Sequence, residues 1–182
     1  MLRNHPILIN DGVIAAIGAN LAVPADARIL HLSHEWVLPG LIDAHTHLTL
    51  TEVTGDAPFE SFYIKESTTF RGLRGLHNGQ ALLDAGFTVV RDIGDSGDYA
   101  MQDVRRSIER GWFDGPTIVD AGKIIAPFGG QSHDMPAEQG RFWKYEYLDA
   151  DGVAEVRKAV RTDLYYGAGV IKLALDGSAW TR

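Results

Sequence analysis

Val37-Leu38-Pro39-Gly40-Leu41-Ile42-Asp43-Ala44-His45-Thr46-His47-Leu48 is the stretch on which the fold turns. Pro39-Gly40 punctuates the chain, and the apolar residues that follow read as a short buried strand. Side chains on a strand alternate faces, so His45 and His47 point the same way, with Asp43 one step earlier on that face. Two residues apart on a strand is about 7 Å, from a rise of ~3.3 Å per residue. Imidazoles so placed can converge on one metal ion at bonds of about 2.0–2.1 Å, and Asp43 could steady a ligand from behind. With seven histidines in 182 residues, a bare His-x-His also arises by chance, so its surroundings carry the weight.

Upstream, Ile7 and Ile9 alternate before Asn10-Asp11-Gly12, and Val13, Ile14 and Ile17 follow. Asp-Gly between β-branched runs predicts a hairpin. Ile29, Leu30 and Leu32 continue the alternation before Ser33-His34. Residues 1–36 therefore read as a small β unit, and 37–182 as a second domain with a different rhythm.

That rhythm is strand, helix, strand. A helix is predicted over about Glu66–Ala85, with Phe70, Leu73, Leu76 and Leu83 near one face and Gly86 past its end. It carries Gly72, Gly75 and Gly79, each costing up to ~1 kcal/mol against Ala in a helix interior. Phe87–Gly94 reads as a strand, Tyr99–Gly111 as a helix, and Pro116–Pro127 as a strand bending at Gly122. A long irregular stretch follows, of the kind that is often functional. Val153, Val156, Val160 and Leu164 then make the clearest helical stripe in the chain, closed by Gly167. Val170–Leu175 is the last strand. Such alternation marks parallel βαβ units.

Composition limits the function. The chain is 45% hydrophobic and 23% charged, with net charge −7 and no basic block, which argues against nucleic acid. No cysteine is present, so thiolate metal sites and disulfides are excluded and a reducing cytoplasm is the expected location. No apolar run approaches the ~20 residues of a membrane span, and Met1–Asp11 lacks a signal-peptide pattern.

Trp36–Leu48 closely resembles the first barrel strand of the amidohydrolase superfamily. Ile7–Gly18 resembles the β-sandwich segment before it, Asp84–Asp95 the second strand, and Gly169–Gly177 the fourth. The branch most resembled holds prolidase-like dipeptidases and imidazolonepropionase relatives. The resemblance implies the first half, about four βα units, of a TIM-type (β/α)8 barrel preceded by part of a small β-sandwich. Active sites on such barrels lie at the C-terminal ends of the strands.

By the same resemblance, His45 and His47 are metal ligands in a site for one or two divalent ions, zinc foremost, and Lys172 is a catalytic lysine carboxylated by CO2 that bridges two such ions. A carbamate offers two anionic oxygens where an amine offers none; its formation requires an unprotonated amine, which burial near metal charge favours. The metals would activate a water and polarise a scissile amide carbonyl. His133 resembles a histidine that lines the substrate pocket after strand three, although Gln131-Ser132 interrupts the Gly-Gly-His pattern. Arg91 and Asp92 read as an ion pair or loop anchor rather than as catalytic groups.

The family takes two further histidines and an aspartate base from strands five, six and eight, and nothing before Arg182 matches them. The expected function is hydrolysis of a C–N bond in a dipeptide-like or cyclic amide substrate, completed by self-association as a homo-oligomer or by a complementary C-terminal half. The rival reading is a non-catalytic half-barrel that serves as an oligomerisation or binding module, its metal ligands vestigial. Edge strands without partners and uncovered apolar faces would drive association in either case.

Overall fold

The computed structural model describes residues 5–32, 34–50, 65–128, 138 and 143–175. The chain divides into two compact units, 1–39 and 40–182.

In the first unit, β1 (Ile7–Asn10) and β2 (Val13–Ile17) pair antiparallel. Asp11 and Gly12 both adopt positive φ, 50° and 76°, as a two-residue hairpin turn compatible with strand twist demands. The alternating stretch around Ile29–Leu32 joins no ladder. An alternating pattern makes a strand only where a neighbouring backbone supplies hydrogen bonds, and among the described residues none runs beside it.

The second unit is α/β with parallel sheets. β3 (Leu41–Thr46), β4 (Phe87–Asp92) and β5 (Thr117–Asp120) lie side by side in chain order. The predicted third strand is broken at Gly122, whose φ of 67° suits glycine. Beyond that bend, β6 (Ile124–Ala126) lies between β7 (Tyr147–Asp149) and β8 (Lys172–Leu173), all parallel. The two sheets are stitched together at the bend. Asp120 O accepts from Gly169 N at 2.8 Å, and Asp95 N donates to Gly122 O at 2.9 Å. β7 was not foreseen, because three residues are too few to show a period.

Among the described residues three α-helices pack on these sheets: α1 (Thr68–Asp84), α2 (Ala100–Glu109) and α3 (Val153–Tyr165). Ser67 caps α1, its Oγ accepting from Phe70 N at 3.2 Å. Leu48, Val90, Met101, Val104 and Ile118 form the buried core between strands and helices.

The packed faces of α1 and α3 differ from those the hydrophobic pattern suggests. In α1 the buried residues are Arg71, Gly72, Gly75 and Gly79, whereas Phe70 and Leu73 are 54% and 59% exposed. The glycines let the helix approach its neighbours. A Cβ on Gly75 would lie 2.5 Å from Met101 Sδ, and one on Gly72 would lie 3.2 Å from the Ala100 Cβ. In α3 the buried residues are Ala159 and Asp163, with Val153 78% exposed. Ala159 packs with Ile125 and Ala150, and Asp163 accepts from Tyr99 Oη and Lys123 N. Small size and hydrogen bonding, rather than apolar surface, select those faces.

Candidate metal centre

Gly40 begins the site. A Cβ there would sit 2.0 Å from Thr88 Oγ1, so only glycine lets the chain enter β3 against β4. Leu41 N then donates to Gly86 O at 2.9 Å, and β3 runs to Thr46, leaving His47 one residue past its end.

Asp92, fully buried at the end of β4, holds that end in place. Its carboxylate accepts from Leu48 N at 2.6 Å and from Gly94 N at 3.3 Å. Burial pushes its pKa well above the usual carboxylate range, outweighing those two hydrogen bonds. Thr46 reinforces the seam by donating from Oγ1 to Arg91 O and accepting at its carbonyl from Ile93 N, both at 3.0 Å. Of the two roles the sequence left open for Asp92, ion pair or loop anchor, these bonds are those of a loop anchor.

The two imidazoles meet at the sheet's C-terminal rim. Their centroids are 5.5 Å apart with an interplanar angle of 63°. His47 Nδ1 lies 3.3 Å from Gly94 O. A carbonyl only accepts, so Nδ1 carries the proton and Nε2 keeps its lone pair. Burial lowers the His47 pKa; the Gly94 bond opposes this, and the charges of His45 and Lys172 add to the lowering. The neutral ring is the form that ligates a metal. Asp43 touches no ring; its Oδ1 accepts from His45 N at 3.0 Å and so fixes the backbone.

Lys172 stands half-buried on β8, beside Ile124 of β6. It acts electrostatically on His47 although 125 positions separate them in the sequence. Among the described residues no group of three or more His, Asp or Glu could hold a metal. The donor set on offer is His45, His47 and Lys172: two nitrogen ligands in the neutral-ring chemistry that divalent zinc prefers, plus an amine. Two imidazoles and an amine are donors of a kind that would suit such an ion. His133 and its neighbours Gln131 and Ser132 lie outside the described residues.

Gly94 was not singled out from sequence. A Cβ there would lie 2.9 Å from Ile124 Cδ1 and 3.1 Å from His47 Nδ1. The only signal was its place two residues after Asp92 at the end of a strand.

The amidohydrolase family profile matches residues 36–178, and the chain belongs to that family. It is 27% identical to the ochratoxinase of Aspergillus niger over 201 aligned positions, which cover 100% of this chain and 40% of that protein. Among solved structures, a prolidase in complex with N-methylphosphonate-L-proline superposes with a TM-score of 0.74 at 26% identity, over 93% of this chain and 41% of that one. The crystal structure of the A. niger ochratoxinase superposes with a TM-score of 0.70 at 26% identity, over 94% and 42%. The chain thus spans 40% of the length of the curated relative it matches. Among the described residues, no helix is long and apolar enough to cross a membrane.

Proposed function

We propose that this chain supplies one part of a metal-dependent hydrolase of C–N bonds, acting on a dipeptide-like or cyclic amide substrate. The observation that carries the reading is the meeting of His45 and His47 at 5.5 Å, with the Nδ1 of His47 engaged by Gly94 and the Lys172 charge acting on the same ring. His45 and His47 would hold a divalent ion, zinc before others, and carboxylated Lys172 would bridge to a second. The chemistry a bound ion supplies is Lewis acidity toward water and the scissile carbonyl. The chain's own residues provide placement: Gly94 sets the His47 tautomer, Asp43 holds the His45 backbone, and Asp92 ties β3 to β4. The prolidases and the ochratoxinase among its relatives suggest the substrate class.

Metal analysis of the purified chain, beside a His45→Ala/His47→Ala variant, tests this directly. Zinc near stoichiometric in the parent and absent from the variant is the expected result. Hydrolysis of Xaa-Pro and N-acyl amino acid substrates should follow the metal. Equal metal content in parent and variant would refute the site.

Exposed apolar residues favour association as the route to a complete enzyme. Ile42 is 67% and Leu175 77% exposed although both lie on or beside strands of the parallel sheets. A homo-oligomer or a complementary C-terminal half would cover such surface. In the alternative, association is the whole function and the half-barrel is a binding module without chemistry; a parent chain that carries no zinc as purified and still associates would support it.

A further inference from the structure

His47 stands one residue past the end of β3, so the sheet ladder does not fix its backbone. A turn does. Leu50 N donates to His47 O at 3.1 Å, which makes this histidine the first residue of a turn over 47–50. The three carbonyls that follow are all engaged by α1. Asn78 Nδ2 donates to Leu48 O at 2.8 Å and to Leu50 O at 3.2 Å, and Arg74 Nη1 donates to Thr49 O at 3.1 Å. An amide NH2 carries two donors, so Asn78 bridges the carbonyls on either side of Thr49. From the sheet side, Leu48 N is held by Asp92 and the Thr49 hydroxyl by Ser96. Leu48 and Thr49 are both buried.

Arg71, Arg74 and Asn78 follow one another at spacings of three and four, and share one face of α1 with Gly75 and Gly79. The glycines bring that face against the turn. A Cβ on Gly75 would lie 3.5 Å from Thr49 Cγ2, and one on Gly79 would lie 4.0 Å from Leu48 Cδ1. The buried Arg71 donates to Ser96 O, so the same face also holds the residue that meets the Thr49 hydroxyl. A helix face that meets a row of carbonyls needs donors there, not leucines. His45 lies inside β3 and has no such support from α1.

We propose that Asn78 and Arg74 are positioning residues for His47: by fixing the carbonyls of the 47–50 turn they set the direction in which the imidazole leaves the backbone, and so keep Nδ1 on Gly94 O and Nε2 free for an ion. Gly94 acts on the ring and α1 acts on the backbone that carries it. The use made of the ring rests on the hydrolase reading; its placement does not.

Nitrogen NMR of the whole metal-free chain, isotope-labelled at histidine and held in alkaline buffer where the rings are neutral, reads the tautomer of each imidazole. The parent should show His47 protonated on Nδ1. In Asn78→Ala the His47 signals should move toward a mixture of tautomers while those of His45 stay in place. Zinc titration of the same variant should show affinity about 10–100-fold weaker, as for other groups that orient a metal ligand from behind. Asn78→Gln, which keeps both donors, should recover most of that loss. Leu73→Gly weakens α1 at an exposed position; it should lower the melting temperature and move neither readout. Should Asn78→Ala fail to fold, Arg74→Met, which removes the donor to Thr49 O, takes its place. A parent that binds no zinc counts against the hydrolase reading, and the tautomer alone then decides the role of Asn78. An unchanged His47 tautomer in Asn78→Ala would overturn the proposal, as would a shift shared by His45 or reproduced by Leu73→Gly.

Discussion

Gly94 does two things for His47 that no other residue type could do together. Its carbonyl accepts from Nδ1, and its missing side chain leaves room for both the ring and Ile124. Gly94→Ala should therefore displace His47 rather than merely weaken a bond. Groups that orient a metal ligand from behind are worth about 10–100-fold in affinity, so zinc titration of the variant should show a loss of that order. Overpacking against Ile124 should cost about 1–3 kcal/mol besides. An unchanged zinc isotherm would show that the ring finds its place without Gly94.

Glu146 is a second residue with a measurable consequence. Burial raises its pKa to about 8, opposed only in part by a hydrogen bond with Tyr147, and its Oε2 has no hydrogen-bond partner among the described residues. Between its ordinary pKa of 4.5 and about 8, the folded chain keeps a proton that the unfolded chain releases. Stability must then fall as pH rises through that window and level off above it. Asp95 and Asp163, both raised to about 6, act in the same sense at the acidic end. The melting temperature should be lower near pH 8 than near pH 5. Glu146→Gln should flatten the profile between about pH 6 and 8 and melt above the parent at the alkaline end. Parallel profiles for parent and variant would assign the slope to other groups.

At the scale of elements, α1 shows why helix propensity and packing must be weighed separately. Alanine at an exposed helical glycine stabilises by about 1 kcal/mol. At Gly75 the new Cβ meets Met101 Sδ at 2.5 Å, and Met101 is fully buried. Gly75→Ala should therefore be net destabilising by roughly 1–3 kcal/mol despite its better propensity, as urea denaturation would register. A gain in stability would mean that α1 and α2 separate without cost. Similar close contacts explain the helix faces. Glycine and alanine carry little hydropathy, so an apolar stripe points elsewhere even when small residues make the packed side. α2 is tied to β5 by other means: Arg105 Nη1 pairs with the buried Asp120 at 2.9 Å and Nη2 reaches Gly167 O at 3.0 Å.

For the molecule as a whole, uncovered apolar surface is the governing fact. Leu41, Ile42, Leu173 and Leu175 are all exposed on or beside strands of the second unit, and β3 ends its sheet without a second neighbour among the described residues. Bare strand edges and apolar faces of this kind promote pairing with another chain. Sedimentation velocity at micromolar concentration should find a dimer or larger species. A persistent monomer would show that this surface is tolerated in water.

The order of strands and helices was legible in the sequence, because hydrophobic period, Asp11-Gly12, Gly86 and Gly111 report on local backbone preference, which each segment carries with it. The pairing of His45 with His47 was legible for the same reason, as strand alternation is a local property. Tertiary structure alone decided the rest. It split the third strand at Gly122 between two sheets, put glycines rather than leucines against α2, and joined Asp98 to Tyr145 and Lys123 to Lys144. The effect of the Lys172 charge on His47 was expected from the family resemblance, not from any period in the sequence. Those outcomes depend on which backbones approach one another and how closely, and distances between segments far apart in the chain leave no period in the sequence.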